Sequence, residues 1–480
     1  VVSEQMDVLI VGAGLSGITA GCRLRMSCPE TSFLILEARD AIGGTWDLFR
    51  YPGIRSDSDM YTFGFAFEPW SGEDSIAEGP EIVEYIRTTA AKRGVTEHIR
   101  YGTRVLRARW CSEAGEWTVT AQTAEQERVY RCRHFWVCTG YFSYEGGYQP
   151  DLPDMERYSG RVVHPQEWPE DLDWSGREIV IVGSGATAVT LLPELAQTAS
   201  KVTLLQRSPG YVAEVARKDP WVARLNSFLP ERLAGWVLRW KGILYQSFLF
   251  RLARRFPNFM KKLLRKGLSV YFSPSTIDEH FQPDYNPWEQ RLCIDTDGEY
   301  MKALQSDKAD IVTDRITSFE GRTVRLHSGK TLKADILVTA TGLVVELFGR
   351  IEVVVDGRPV RPQDHLLYKG AMLNDVPNLI FSLGYTNMSW TLKCDLTARF
   401  VCRLLNFMEK QGYSTFCPQL NDPEVEPEQL IDFSSGYLQR ALPILPRQGS
   451  KSPWKLHQSY LADLLQTGLA PLDDGVMQFR

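Results

Sequence analysis

Two glycine-rich turns constrain this chain more than any other feature, because each one obliges a short buried strand to run straight into a helix. The first is Gly12-Ala-Gly14-Leu-Ser-Gly17, preceded by the apolar run from Met6 to Val11 and followed by helical spacing through Ile18, Leu24 and Met26. A run that short reads as a parallel strand buried on both faces. Gly12 permits the tight turn, Gly14 lets backbone approach a pyrophosphate, and Gly17 lets the helix pack closely on the strand. The helix N-terminus then favours the phosphate charge. The next apolar run, Phe33 to Leu36, ends in Glu37. That is about twenty residues past Gly17, where a carboxylate accepts hydrogen bonds from ribose hydroxyls.

The same unit recurs later. A strand from Glu178 to Val182 leads into Gly183-Ser-Gly185-Ala-Thr187-Ala188, and the next strand ends in Arg207-Ser208-Pro209. Ala188 is still small enough for close helix–sheet packing. Arg207 stands where the first unit has Glu37, and a cation there suits a 2′-phosphate. Its plain alternative is a solvated strand-end arginine. One adenosine-type and one 2′-phosphate-type unit point to FAD plus NADPH. The expected fold class is α/β, with two Rossmann-like dinucleotide-binding domains and a helical insert. The expected division is a discontinuous FAD-binding domain (1–150 and 335–480), an NADPH-binding domain (151–334) and an insert at 215–275.

Composition narrows the function classes. A net charge of −5 offers no bulk positive charge for nucleic acid. Nine cysteines occur without a C-x-x-C pair, which suits buried thiols in a cytoplasmic protein and argues against disulfide-reductase chemistry. No cluster has ligand spacing, so no metal is expected. No apolar run reaches the roughly 18 residues of a membrane span, and no leader peptide is expected ahead of the first strand.

Several segments are rich in chemistry. Gly43-Gly44-Thr45-Trp46 is followed by Arg50-Tyr51-Pro52-Gly53-Ile54-Arg55-Ser56-Asp57-Ser58-Asp59. Aromatic and charged residues interleave there, as in a loop covering a planar, polar-edged cofactor. Two apolar strands end in Thr139-Gly140 and Ala340-Thr341-Gly342, endings that let backbone pass close to a cofactor. The second is expected to return the chain to the first domain. The stretch from 272 to 285 reads as a loop. Arg291 follows at a loop-to-strand junction, where its plain reading is a structural ion pair. Residues 378–390 are expected to line the flavin site, with Asn387 and Trp390 in the substrate pocket and Asp395 capping the helix that follows. From 220 to 270 the chain carries eleven Lys and Arg against the single acid Glu231, among many aromatics. The favoured expectation is a helical cover over the pocket with solvated cations outside. The alternative is a peripheral contact with anionic lipid.

Between the two nucleotide units lies Tyr158-Ser-Gly160-Arg-Val-Val-His164-Pro-Gln-Glu-Trp168-Pro169. It resembles the fingerprint of the Baeyer–Villiger class of flavoprotein monooxygenases, class B, departing from it only by Tyr158 in place of Phe. The segments 287–293 and 384–393 are most similar to the ethionamide-activating branch. The resemblance covers almost the whole chain. It implies oxygenation of a small apolar ketone with O2, through a C4a-peroxyflavin, to an ester or lactone. Oxygenation of a thioether-type sulfur or of nitrogen is the alternative, and a non-catalytic flavin-bound protein is the rival from another class. It further implies that Arg291 stabilises developing negative charge, that Asp57 positions Arg291, and that Arg207 and Ser208 read the 2′-phosphate. Gly44, Thr45, Trp46, Val105, Thr187 and Gly342 would complete the cofactor contacts. Many relatives carry Lys where Gln290 stands, which places more of the phosphate recognition on Arg207 and Ser208. Gly160, His164 and Trp168 would couple the two nucleotide domains mechanically as these rotate.

Overall fold

The apolar run near the start of the chain becomes the strand Ser3–Val11, flanked in parallel by Phe33–Leu36 on one side and Glu127–Val137 on the other. Val8, Leu9 and Ile10 are fully buried, as a strand covered on both faces requires. This is a computed structural model, and it describes residues 3–430 and 435–480. Val1, Val2 and residues 431–434, which the expected first domain includes, lie outside the described residues.

Glu127–Val137 is long enough to hold two neighbours along one edge. Its first half pairs antiparallel with Glu116–Gln122, and its second half pairs in parallel with Leu379–Phe381. Beyond Glu116–Gln122 the sheet continues through Arg104–Cys111 to Glu352–Val355. The first sheet is therefore closed by chain from both ends of the sequence.

The second sheet is wholly parallel, in the order Ala309–Thr313, Lys201–Gln206, Glu178–Val182, Ile336–Thr339, Arg161–Val163. The helix Ala186–Ala196 covers one face through Leu191, Leu192 and Leu195. The antiparallel strands Ile316–Glu320, Thr323–Leu326 and Thr331–Lys333 cover the other through Phe319, Val324 and Leu326. This corrects the expected boundary at 335. Ile336–Thr339 does not return the chain to the first sheet; it sits inside the second. It pairs in parallel with Glu178–Val182 on one side and Arg161–Val163 on the other, and all four of its residues are buried, as suits an interior parallel strand. The return comes just afterwards, where 341–346 runs beside 141–148. Ser143 N donates to Val344 O, Glu346 N to Tyr141 O, and Tyr148 N to Gly342 O.

Two further expectations are corrected. Within 272–285 the structure has a helix, Pro274–His280, with Ser273 Oγ accepting from Thr276 N and proline at the first turn. Those are ordinary start signals. The helix expected to begin at Asp395 instead spans Trp390–Gln411, with Ser389 at its N-cap position. Asp395 lies inside it, nearly buried, and pairs at 2.6 Å with Arg23 of Leu15–Ser27. The carboxylate belongs to an interhelical ion pair.

The insert leaves the second unit after Val212–Val215, which pairs in parallel with Cys293–Thr296. Its longest helix, Glu231–Arg255, seats Ala234, Gly235, Leu238 and Ile243 against the body. Buried Arg239 donates to the carbonyls of Tyr61 and Gly64 at 3.0 and 2.8 Å. These belong to the end of the short helix Met60–Phe63, where unpaired carbonyls attract a cation. Among the described residues, no helix is long and apolar enough to cross a membrane.

The Asp395 correction is directly measurable. Asparagine caps helices about as well as aspartate, so Asp395→Asn would be nearly neutral if the residue were a cap. As the partner of Arg23, the same change is expected to destabilise by about 3 kcal/mol, because it strands a nearly buried guanidinium. Urea unfolding distinguishes the two, and a loss below roughly 0.5 kcal/mol would refute the ion-pair account.

Candidate functional site

Both glycine turns open onto one cavity of about 1830 Å³, at the carboxyl ends of the parallel strands of the two sheets. Open α/β sheets place ligands at that edge, and the volume exceeds the roughly 300–1,000 Å³ of an ordinary ligand pocket. Gly12 has φ +102°, and a Cβ there would lie 2.5 Å from Cys138 O. Gly183, at φ +140°, would meet Ala340 O at 2.3 Å. Gly17 and Gly12 touch in the same way, since a Cβ on Gly17 would overlap Gly12 O at 1.8 Å. Gly14 and Gly44 face one another across the cavity wall, with a Cβ on Gly44 falling 3.0 Å from Gly14 Cα. The bare backbone there leaves room for a long, flat ligand. Gly185, Thr187 and Ala188 form the start of the second unit's helix, although the Tyr51 hydroxyl already engages that of Thr187.

Glu37 is buried beside the first turn. Its Oε2 accepts from Ala13 N at 2.7 Å and its Oε1 from Arg39 N at 2.9 Å. Burial pushes its pKa up, and those two N–H groups pull it back down. The carboxylate is thereby oriented, with lone pairs left for a ligand hydroxyl. Thr45, half-buried Trp46 and Val105 line the same end. Trp46 meets Phe63 edge-on at 5.3 Å. The loop expected to cover a planar cofactor divides in two. Its Gly43–Trp46 part lines the cavity, and Tyr51 and Arg55, which line it as well, reach with Gly53 to the second unit at Thr187, Glu299 and Glu194 respectively.

Asp57 and Arg291 meet on the cavity wall, with Arg291 Nη1 donating to Asp57 Oδ2 at 2.6 Å. Their side chains are 42% and 49% exposed for arginine and aspartate respectively. A pair so open contributes only about 0–1 kcal/mol to stability, so positioning accounts for it better than stabilisation. Arg291 Nη2 also donates to Tyr141 OH at 3.4 Å. The Tyr141 ring stacks on Trp390 at 4.5 Å, and Trp390 Nε1 donates to Ser16 Oγ at 3.2 Å. A contiguous series of contacts thus runs from Arg291 to the helix of the first glycine turn. Sequence reasoning missed Tyr141, although it directly follows the Thr139-Gly140 ending. Asn387 donates through Nδ2 to Gln458 O at 2.9 Å, and its buried Oδ1 has no hydrogen-bond partner.

Arg207 and Ser208 are exposed at the rim where Lys201–Gln206 ends. Arg315, which sequence reasoning also missed, lines the cavity just past the adjacent strand, where Asp314 N donates to Gln206 O. Gln290 lines the cavity as well.

His164 bridges the two chain crossings. Its Nε2 lies 3.2 Å from Gly342 O, and its Nδ1 accepts from Gln166 N at 3.2 Å. Its ring occupies the space beside Gly147, where a Cβ would come within 1.8 Å of it. Gly160 is required by crowding, since a Cβ there would lie 2.3 Å from Tyr158 OH. Trp168 differs from expectation. It packs with Trp174 on the core of the second unit, so the tie to the first unit falls to His164 and to Gln166, whose Nε2 donates to Ser143 O at 2.8 Å.

Residues 75–242 match the flavin-binding monooxygenase-like family, and residues 10–71 match the NAD(P)-binding Rossmann-like domain. The chain is 44% identical over 482 residues to the FAD-containing monooxygenase EthA of Mycobacterium tuberculosis (strain ATCC 25618 / H37Rv), covering 99% of this chain and 98% of that one. It is 42% identical to the probable FAD-binding monooxygenase AlmA of Acinetobacter baylyi, covering 99% and 96%. Its fold is similar to that of OTEMO in complex with FAD and NADP (TM-score 0.75, 20% identity, 100% of both chains). It is likewise similar to that of an oxidized steroid monooxygenase bound to NADP (TM-score 0.73, 22% identity, 88% of each).

Burial holds the His164 pKa below its usual value, with the Gly342 carbonyl pulling weakly the other way. The folded state therefore binds this proton less readily than the unfolded chain. The resulting stability is present above the unfolded value of about 6.5 and is lost as pH falls through the folded pKa. Urea midpoints measured across that window should show an acid-side decline in the wild type that is shallower in His164→Gln. Parallel declines would mean that His164 is not the group responsible.

Proposed function

The chain belongs to the class B flavoprotein monooxygenases, FAD-containing enzymes that use NADPH, and from that premise we propose that it is a Baeyer–Villiger oxygenase of small apolar ketones. The observation that carries this reading is the Asp57–Arg291 pair, held on the wall of a cavity that both nucleotide turns share. When bound, FAD and NADPH supply the electrons with which one oxygen atom of O2 is inserted and the other leaves as water.

The chain's own residues supply recognition and charge. Gly12 and Gly14 bring backbone to the FAD pyrophosphate, Gly17 lets the helix close on its strand, and Glu37 accepts from the ribose. Gly44, Thr45, Trp46 and Val105 enclose the flavin end. Gly183, Gly185 and Thr187 receive NADPH beside Gly342, and buried Ala188 lets their helix pack closely on the sheet. Arg207, Ser208 and the added Arg315 surround its 2′-phosphate, which offsets the uncharged Gln290. Arg291 keeps a fixed positive charge where negative charge develops on oxygen, and a charge already in place costs no reorganisation during the reaction. Asp57 aims that guanidinium. Asn387 and Trp390 form the substrate end of the pocket, with Leu238 and Leu249 of the insert as apolar wall.

Oxygenation of sulfur is the second reading, favoured by the 44% identity to EthA and by the resemblance of 384–393 to the ethionamide-activating branch. Parallel incubation with a linear ketone and a thioether, analysed by mass spectrometry, separates the two; sulfoxide without ester would overturn the first reading.

Two substitutions test the residue roles. Arg291→Ala is expected to retain NADPH oxidation while ester formation falls roughly 100-fold, the scale of losing one preorganised charge-stabilising group. Undiminished ester formation would remove Arg291 from the reaction. Arg207→Ala is expected to raise KM for NADPH about tenfold, the loss of one charge-assisted contact to phosphate, and to leave KM for NADH unchanged.

A further inference from the structure

The helix Glu231–Arg255 is apolar on the wrong side. Ala234, Leu238 and Ile243 face the body and are buried. Leu233, Trp236, Leu244 and Phe248 stand on the opposite side at spacings of three, eight and four residues, and Trp236 and Phe248 are 58% and 63% exposed. A helix of a soluble body normally turns its polar residues outward. The cover of solvated cations expected for this face is thus only part of what the structure has.

The apolar surface extends beyond this helix. Phe259 and Leu263 are exposed one turn apart on Pro257–Leu268. Tyr460 and Leu464 pack against Trp240 and Ile243, which brings the tail beside the insert. Leu465 and Leu469 of that tail are exposed as well, at 58% and 75%. Lone exposed apolar residues are ordinary; side chains contributed by three segments that pack together are not.

Cations accompany this surface. Arg251, Arg255, Lys262 and Lys266 are exposed, and none of the four has an ion-pair partner among the described residues. Residues 220–270 carry one acid, Glu231, in a chain whose net charge is −5. The same long helix also has an inner edge, where Leu238, Tyr245 and Leu249 line the cavity.

We infer that the outward face of the insert, with the adjoining tail, is a docking surface for an anionic lipid bilayer. Its aromatic and aliphatic side chains enter the interface, and its Arg and Lys meet the headgroups. Because one helix bounds both the bilayer face and the cavity, docking would set the substrate pocket beside the hydrocarbon. That location suits lipophilic substrates that partition into membranes. The docking inference itself is independent of which atom is oxygenated.

The test is flotation of the FAD-loaded protein with vesicles of phosphatidylcholine alone and with vesicles containing phosphatidylglycerol. Wild type should bind the anionic vesicles at least tenfold better. Arg251→Gln/Arg255→Gln/Lys262→Gln/Lys266→Gln should lose that preference. Trp236→Ser/Leu244→Ser/Phe248→Ser should lose binding to both, with flavin absorbance and NADPH oxidation in solution unchanged. Absence of wild-type flotation, or equal partition of wild type and both variants, would overturn the inference. So would sedimentation showing that the triple variant abolishes a dimer while wild type leaves the vesicles unbound, since the face would then belong to a second copy.

Discussion

The contact between a glycine and a strand-end carbonyl underlies everything else in this molecule. In the first unit Gly12 abuts Cys138 O, and in the second Gly183 abuts Ala340 O, each at a distance that leaves no room for a β-carbon. The glycine has left its strand for the helix, and the carbonyl ends the strand beside it. Their contact sets how closely helix, strand and neighbouring strand can approach. It also explains why both neighbouring strands finish in Thr-Gly: the chain must turn away at once, and Gly140 and Gly342 both have positive φ. Two copies of that junction, facing one another, form the cavity.

The chemistry within the cavity comes from neither unit alone. Arg291 leads into Cys293–Thr296 on the second unit's side, whereas Asp57, Tyr141 and Trp390 come from the first. The ion pair is too exposed to stabilise the fold appreciably, and it joins segments separated by 234 residues. Its geometry therefore depends on how the two units are held. That hold combines the backbone bonds between 141–148 and 341–346, with His164 and Gln166 attached there, and the contacts of Arg55 with Glu299 and of Arg239 with the carbonyls of Tyr61 and Gly64.

Much of this was legible in the sequence because nucleotide-binding units announce themselves locally. Strand, glycine turn, helix and terminal acid or base fall within some thirty consecutive residues, and both units stand where that pattern puts them. What stayed hidden depends on partners far along the chain. Nothing near Ile336–Thr339 says which sheet receives it; its pairing with Glu178–Val182 and Arg161–Val163 does, and pairing is a tertiary fact. Asp395 has the composition of a cap, and only the approach of Arg23 shows otherwise. Tyr141 and Arg315 lack any motif of their own and matter because adjacent strands end together. Trp168 carries the fingerprint yet serves the second core. The helix Pro274–His280 is a different kind of miss, since Ser273-Pro274 and the following Ser and Thr are start signals that could have been recognised.

The closing of the first sheet by Leu379–Phe381, and of its helical layer by Trp390–Gln411, has a consequence for biosynthesis. The second unit's sheet is continuous from Arg161 to Thr339 and can assemble as soon as it leaves the ribosome. The first cannot. At about 5–20 residues per second, its N-terminal strands wait roughly tens of seconds for their last strand and for the helix that covers Leu15–Ser27. Through that interval the edge of Glu127–Val137 from Phe135 onward is open, as is the helix face that will meet Cys394 and Asp395. An unpaired hydrophobic edge is a site for misassociation. The chain is therefore most vulnerable to aggregation while the later domain is already native, so chaperone demand should follow the N-terminal third even though that third is made first.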